Sequence, residues 1–96
     1  MIINIEVSPI RSRRYRVYFI DGSRMDIGGA TKLNEYVDTG KEKDRARYYN
    51  TMSEIDKEEF LRLRKSRIVL EAFILNGPTT SIIKNINYLN EMLSGD

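Results

Sequence analysis

The chain of 96 residues contains no cysteine and no histidine. Without cysteine there can be no disulfide, no thiolate zinc site and no cysteine nucleophile, a composition that fits an intracellular compartment. Without histidine the usual general base and the commonest metal ligand are both missing. Long apolar runs are missing too, so no membrane span is expected. The opening Met1-Ile2-Ile3-Asn4-Ile5-Glu6 has no basic stretch ahead of an apolar one, so the chain is not expected to be secreted. Catalysis would be left to carboxylates, Lys, Arg, Tyr, Ser and Thr. Asp21, Asp26, Glu35 and Asp38 are spaced as in no metal-nuclease motif with a mechanism behind it. Gly28-Gly29 is not followed by Lys-Ser/Thr at P-loop spacing. The reading is therefore a non-enzymatic protein with no cofactor and no metal.

What is present is charge, unevenly placed. Hydrophobic residues make up 41% and charged residues 31%, which suits one small globular domain spanning residues 1–96. Up to Tyr48 there are ten Lys/Arg against seven Asp/Glu; beyond it there are six against seven. The cationic excess thus sits in the first half and is mostly arginine, whose planar fork suits bidentate contact with phosphate or carboxylate. Such an imbalance is met both in solvated surfaces and in binding patches.

Ile2 to Val7 is rich in β-branched residues and reads as a strand closed by Ser8-Pro9. Tyr15, Val17 and Phe19 alternate with Arg14, Arg16 and Tyr18, the period of a second strand. Asp21-Gly22 signals a two-residue hairpin turn, and Ser23 to Ile27 returns. That turn sets Tyr18 opposite Met25 and Arg16 opposite Ile27. Tyr15, Val17 and Phe19 then share the other face with Arg24 and Asp26. Both faces come out mixed, and aromatic weight favours burying the Tyr15/Val17/Phe19 face. Thr31 is placed to cap a short helix through Val37, ended by Gly40, and Lys41 to Met52 forms another.

Ser53 to Asn76 reads as one long helix. Ser53 is placed to accept from the N–H of Asp56, Gly77 to take a left-handed position, and Pro78 to stop the helix. Phe60, Leu63 and Leu70 form a stripe in its first part. Ile68 to Leu75 is apolar on nearly every face except Glu71, which places it in the middle of the core. A final helix, 81–93, carries Ile82, Ile83, Ile86, Leu89 and Leu93 at helical spacing, and the short Gly-Pro-Thr-Thr joint makes the two helices antiparallel. The expected fold is α+β: an N-terminal antiparallel hairpin or sheet (1–29), short helices (31–52), and a C-terminal helical hairpin (53–93).

Two non-catalytic roles fit this pattern. Arg11, Arg13, Arg14, Arg16, Arg24, Lys43, Arg45 and Arg47, with Tyr15 and Tyr48 interleaved, could form one face that neutralises phosphates and stacks on bases. The blander arrangement puts the tyrosines in the core and leaves the arginines solvated. Alternatively, the long amphipathic helix with Arg62, Arg64, Lys65 and Arg67 faces a protein partner, since a thin core gains stability from association.

Several stretches together resemble a known family. These are Asp21-Gly-Ser-Arg-Met-Asp-Ile-Gly-Gly, Glu35-Tyr36, Lys43-Asp-Arg-Ala-Arg-Tyr48, and Leu75-Asn-Gly-Pro-Thr79 followed by Ser81-Ile82. The family is a small one of unknown function, found mainly in large double-stranded DNA viruses of algae and protists. The resemblance covers roughly residues 14–90. Ile27 stands where the family has Phe, Leu75 and Gly77 replace its Trp and Lys, and its His residues flanking the basic helix are absent. The resemblance implies a virion component, capsid-associated or genome-associated. Its partners would be other viral structural proteins or further copies of itself, and its location the virion or the host cytoplasm or nucleus.

Overall fold

A computed structural model of the chain describes residues 1–31, 33–52, 58–59, 62 and 65–94, with the backbone alone for 48–52 and 93–94. The fold is α+β. Strands β1 (Ile2–Val7), β2 (Arg13–Phe19) and β3 (Arg24–Gly29) form one antiparallel sheet in the order β1-β2-β3. Helices α1 (Tyr36–Thr39) and α2 (Glu42–Met52) follow. Helix α3 (Arg67–Leu70) then runs directly into a π-helical turn (Glu71–Leu75), and α4 (Ile82–Ser94) closes the chain. Among the described residues no helix is long and apolar enough to cross a membrane.

The hairpin differs from its expected form by one residue. Its loop has three residues, Ile20 to Gly22: Phe19 N–H donates to Ser23 O at 2.9 Å and Gly22 N–H to Phe19 O at 3.0 Å, with Gly22 at φ 88°. A left-handed third residue after a type I turn is the usual three-residue solution, and glycine takes it without steric cost. Asp21 Oδ1 holds the loop by accepting from Ser23 N–H at 2.9 Å and Ser23 Oγ–H at 2.6 Å. The consequence is the register: Tyr18 faces Arg24, Val17 faces Met25, Arg16 faces Asp26 and Tyr15 faces Ile27. A slip of one residue exchanges faces. The mixed faces of the two-residue turn thereby separate into an apolar face (Tyr15, Val17, Phe19, Met25, Ile27) and a charged one (Arg14, Arg16, Tyr18, Arg24, Asp26).

The apolar face meets the helices. Ile2, Val17, Phe19 and Ile27 pack with Val69, Leu70, Ile74, Leu75, Ile86 and Leu89 in one buried cluster, with Tyr15, Met25, Phe73 and Ile82 at its margin. The expected burial of the 68–75 segment holds except at Ile68, which is 57% exposed; Phe73 is half-buried. Ile83, expected on the buried stripe of the last helix, is 60% exposed.

The single long helix over 53–76 is not seen. The chain turns at Lys65-Ser66, and Ser66 starts α3 afresh: its Oγ accepts from Val69 N–H at 3.2 Å and its carbonyl from Leu70 N–H at 3.0 Å. The expected Ser53 cap on Asp56 and the Phe60–Leu63 part of the stripe lie outside the described residues. Gly77 does not adopt a left-handed conformation. It is there because nothing larger fits: a Cβ would stand 2.3 Å from Phe73 O and 2.8 Å from Asn85 Cγ. The Thr31 cap is also revised. Helix α1 starts at Glu35, whose N–H donates to Asp38 Oδ2 at 3.2 Å, and Gly40 ends it with its N–H on Tyr36 O at 2.8 Å.

Asn85 locks the joint between the π-helical turn and α4. It is fully buried, donates to Ile74 O at 2.8 Å and Thr79 O at 2.9 Å, and accepts from Thr79 N–H at 3.0 Å and Thr79 Oγ–H at 2.8 Å.

Candidate nucleic-acid interface

The arginines nominated by the sequence divide into two groups. Arg14 forks onto Asp38, Nη1 to Oδ2 at 2.7 Å and Nη2 to Oδ1 at 2.8 Å, and its guanidinium lies 5.2 Å from the centre of the Tyr15 ring. The hydrogen bonds that Arg14 donates to Asp38 raise its pKa above the ordinary value. Arg16 forks onto Asp26 at 2.9 and 3.1 Å, and Ser8 Oγ–H donates to the same carboxylate at 2.7 Å. Arg16, and after it Ser8, hold the Asp26 carboxyl below the usual carboxylate range. Arg45 donates to Glu42 at 2.9 Å and to Gly77 O at 3.1 Å. Arg47 reaches Asn34 O at 3.0 Å and lies 3.9 Å from Asp44. Arg14 and Arg16, nominated for phosphate contact, are each paired with an internal carboxylate. The fold brings Asp26 and Asp38 alongside them, one by strand register and one by the placement of α1.

Arg11, Arg13, Arg24 and Lys43 form no ion pair among the described residues. The side chain of Tyr48 lies outside the described residues. Arg24 stands on the charged face beside Tyr18. Arg11 and Arg13, at the base of the hairpin, line an open cavity of about 710 Å³ together with Arg67 at the start of α3. Arg13 and Arg67 also line an adjoining hollow of about 420 Å³ beside Met25, Asp26 and Ser66. The two hollows make a groove along the β3 edge of the sheet. Arg45 lines a separate, more apolar cavity with Phe73, Pro78, Tyr88 and Met92, so the basic helix and the hairpin arginines do not share a pocket.

Two carboxylates also line the larger hollow, and the fold ties down both. Glu35, 5% exposed, accepts from Asn76 Nδ2–H. Glu71 Oε2 accepts from Gly28 N–H at 2.8 Å and lies 3.9 Å from Arg67 Nε. Asn76 Oδ1 in turn takes the N–H of Tyr36 at 2.9 Å. The i+5 bond from Asn76 N–H to Glu71 O, at 3.1 Å, belongs to the π-helical turn, a distortion that recurs at functional sites.

Sequence reasoning grouped Arg67 with a cationic run on a long helix, not with Arg13. Of that run, Arg64 lies outside the described residues. Lys65 closes on Asp21 and lies 5.3 Å from the Phe19 ring centre, and this contact, ahead of the hydrogen bonds from Ser23, holds the Asp21 carboxyl below its ordinary range. No local signal joins Arg67 to Arg13; the turn at Ser66 and the docking of α3 on β3 do so. The four carboxylates weighed for metal chemistry go to separate partners: Asp21 to Lys65, Asp26 to Arg16, Glu35 to Asn76 and Asp38 to Arg14. Among the described residues no group of three or more carboxylates stands where it could hold a metal ion. Comparison of the chain with protein-family models, curated proteins and solved structures returned no match.

Proposed function

We propose that the chain is a non-enzymatic binding protein that holds the phosphates of a nucleic-acid strand in the groove along β3. One observation carries this reading: Arg13 of β2 and Arg67 of α3 line both hollows of one groove, and Arg13 has no carboxylate partner among the described residues. Glu35 and Glu71 accept from Asn76 and Gly28, and Arg67 lies 3.9 Å from Glu71, so Arg13 is the shared guanidinium left open to a ligand. Arginine forks match phosphate oxygens. A genome-associated virion component, one of the roles that the family resemblance implies, would use such a groove.

Titration of a labelled single-stranded oligonucleotide at two salt concentrations tests this. Three phosphate contacts give a log–log salt slope of about −2, so affinity should drop about 20-fold for a fourfold rise in salt. Arg13→Met with Arg67→Met should flatten the slope by about 0.7 per charge removed. No binding at low salt, or binding that the double variant leaves unchanged, sinks the reading.

A further inference from the structure

We propose that the larger hollow of the groove receives one base of a single strand, a base that carries an exocyclic amine, and that this amine donates to Glu71 Oε1. The inference rests on the phosphate-binding reading of the groove and adds to it which bases the strand must carry.

The charges along the groove divide it. Arg13 and Arg67 line both hollows, so the cationic part is where the two adjoin. Asp26, at the smaller hollow, is matched by the fork of Arg16 at 2.9 and 3.1 Å. At the larger hollow Glu35 accepts from an amide and forms no ion pair among the described residues, and Glu71 Oε2 stays 3.9 Å from Arg67 Nε. A phosphate is drawn to the shared arginines and repelled by these two carboxylates. The part of a strand that enters the larger hollow must therefore donate hydrogen bonds and bring no negative charge. In a DNA strand the linked sugars carry no hydroxyl, so the donors are on the bases.

Glu71 is set to meet such a donor. Its Oε2 takes the N–H of Gly28 at 2.8 Å, which fixes the carboxylate at the β3 edge. Its Oε1 accepts no hydrogen bond. Among the described residues no side-chain oxygen sealed from solvent lacks a partner, so Oε1 is open to solvent, and the hollow is the space that Glu71 lines. A volume of about 710 Å³ is ample for one base with its sugar, and the exposed Ile10 on the wall offers apolar surface to the face of the ring. A base enters a hollow only when it projects from the strand, because a duplex keeps its bases stacked inside. A carboxylate accepts from cytosine N4, and the amines of the other bases are donors of the same kind. Uracil and thymine offer only an N–H flanked by two carbonyl oxygens, which a carboxylate repels.

Titration of the full chain with labelled oligo-dC and oligo-dU of equal length is the test, since the two differ only at the edge that Glu71 would read. At low salt and neutral pH, oligo-dC should bind about fivefold tighter, with the same salt slope as oligo-dU. Methylating N4 twice removes both amine hydrogens, and a strand of N4,N4-dimethylcytosine should fall to the affinity of oligo-dU. Glu71→Gln keeps a carbonyl for Gly28 N–H and turns an amide NH₂ toward the hollow, a donor in place of an acceptor. Its preference should invert, with oligo-dU bound more tightly than oligo-dC. Should that variant fail to fold, the dimethylated strand on the wild type decides. Equal affinity for oligo-dC and oligo-dU overturns the proposal, as does a dimethylated strand that loses nothing or a folded Glu71→Gln that keeps the wild-type preference. In all three cases salt-dependent binding persists and the phosphate groove stands. Failure of every strand to bind at low salt overturns the groove and this inference together.

Discussion

The joint around Asn85 and the groove around Arg13 both gather polar groups against apolar surroundings, and they are built in opposite ways. At the joint, all four hydrogen bonds of the Asn85 amide end on Ile74 and Thr79, and Gly77 leaves no room for another atom. In the groove, Arg11 and Arg13 line open space and pair with no carboxylate among the described residues. Donors satisfied within the chain stabilise the fold. Donors left over at an open hollow contribute little to it and remain available to a ligand. The same physical inventory thus serves architecture in one place and recognition in the other, according to whether the acceptors are internal.

Truncating the joint should give the largest effect. Asn85→Ala leaves the buried Ile74 carbonyl and the part-buried backbone groups of Thr79 without their partners and should cost on the order of 4 kcal/mol, read from the midpoint of urea unfolding. A loss below about 1 kcal/mol would erase the contrast, since surface positions behave that way.

The Arg16–Asp26 pair lies between the two extremes, internally matched yet at the surface. Asp26 is held below its ordinary pKa of 3.8 by Arg16 and Ser8. A folded-state value below the unfolded one stabilises above the unfolded pKa and loses that contribution as pH falls through the folded value. The wild type should therefore lose thermal stability below about pH 4 more steeply than Asp26→Asn, with the two converging at the acid end. Asp21, also depressed by Lys65, is common to both proteins and cancels in the comparison. Parallel melting curves from neutral pH to the acid limit would show that the pair contributes nothing.

The sequence carried the fold class, the three strands, the second helix and most of the core, because apolar period and turn residues act locally. It misplaced what depends on choices between near-equal local options. Asp21-Gly22 serves a two- or a three-residue loop, and only the sorting of Tyr15, Val17 and Phe19 with Met25 and Ile27 on one buried face decides between them. Ser66, in a charged run, reads as helix interior although its hydroxyl caps α3. Gly77 before Pro78 suits a left-handed turn by local rule, but its reason here is the approach of Phe73 O and Asn85, which no local rule exposes. At the candidate site, Arg11 and Arg13 were identifiable from clustering alone. Arg67 was not, since its place beside Arg13 is set by tertiary docking, and neither was the capture of Arg14 and Arg16 by aspartates 24 and 10 residues away.

The smallest expected effect on stability is at Arg13, and it tests the other half of the comparison. Its side chain continues the Tyr15–Phe19 face of β2, so its methylenes cover apolar surface while the guanidinium stands in the groove. Arg13→Met keeps the stem and removes the charge. If the guanidinium does no internal work, unfolding free energy should change by less than about 0.5 kcal/mol. Arg14→Met, which strips Asp38 of a two-pronged partner, should cost more, on the order of 1 kcal/mol for a largely covered pair. Equal losses for the two variants would mean that Arg13 is also spent inside the fold. A loss at Arg14 alone would leave Arg13 as a cation retained for something outside the chain.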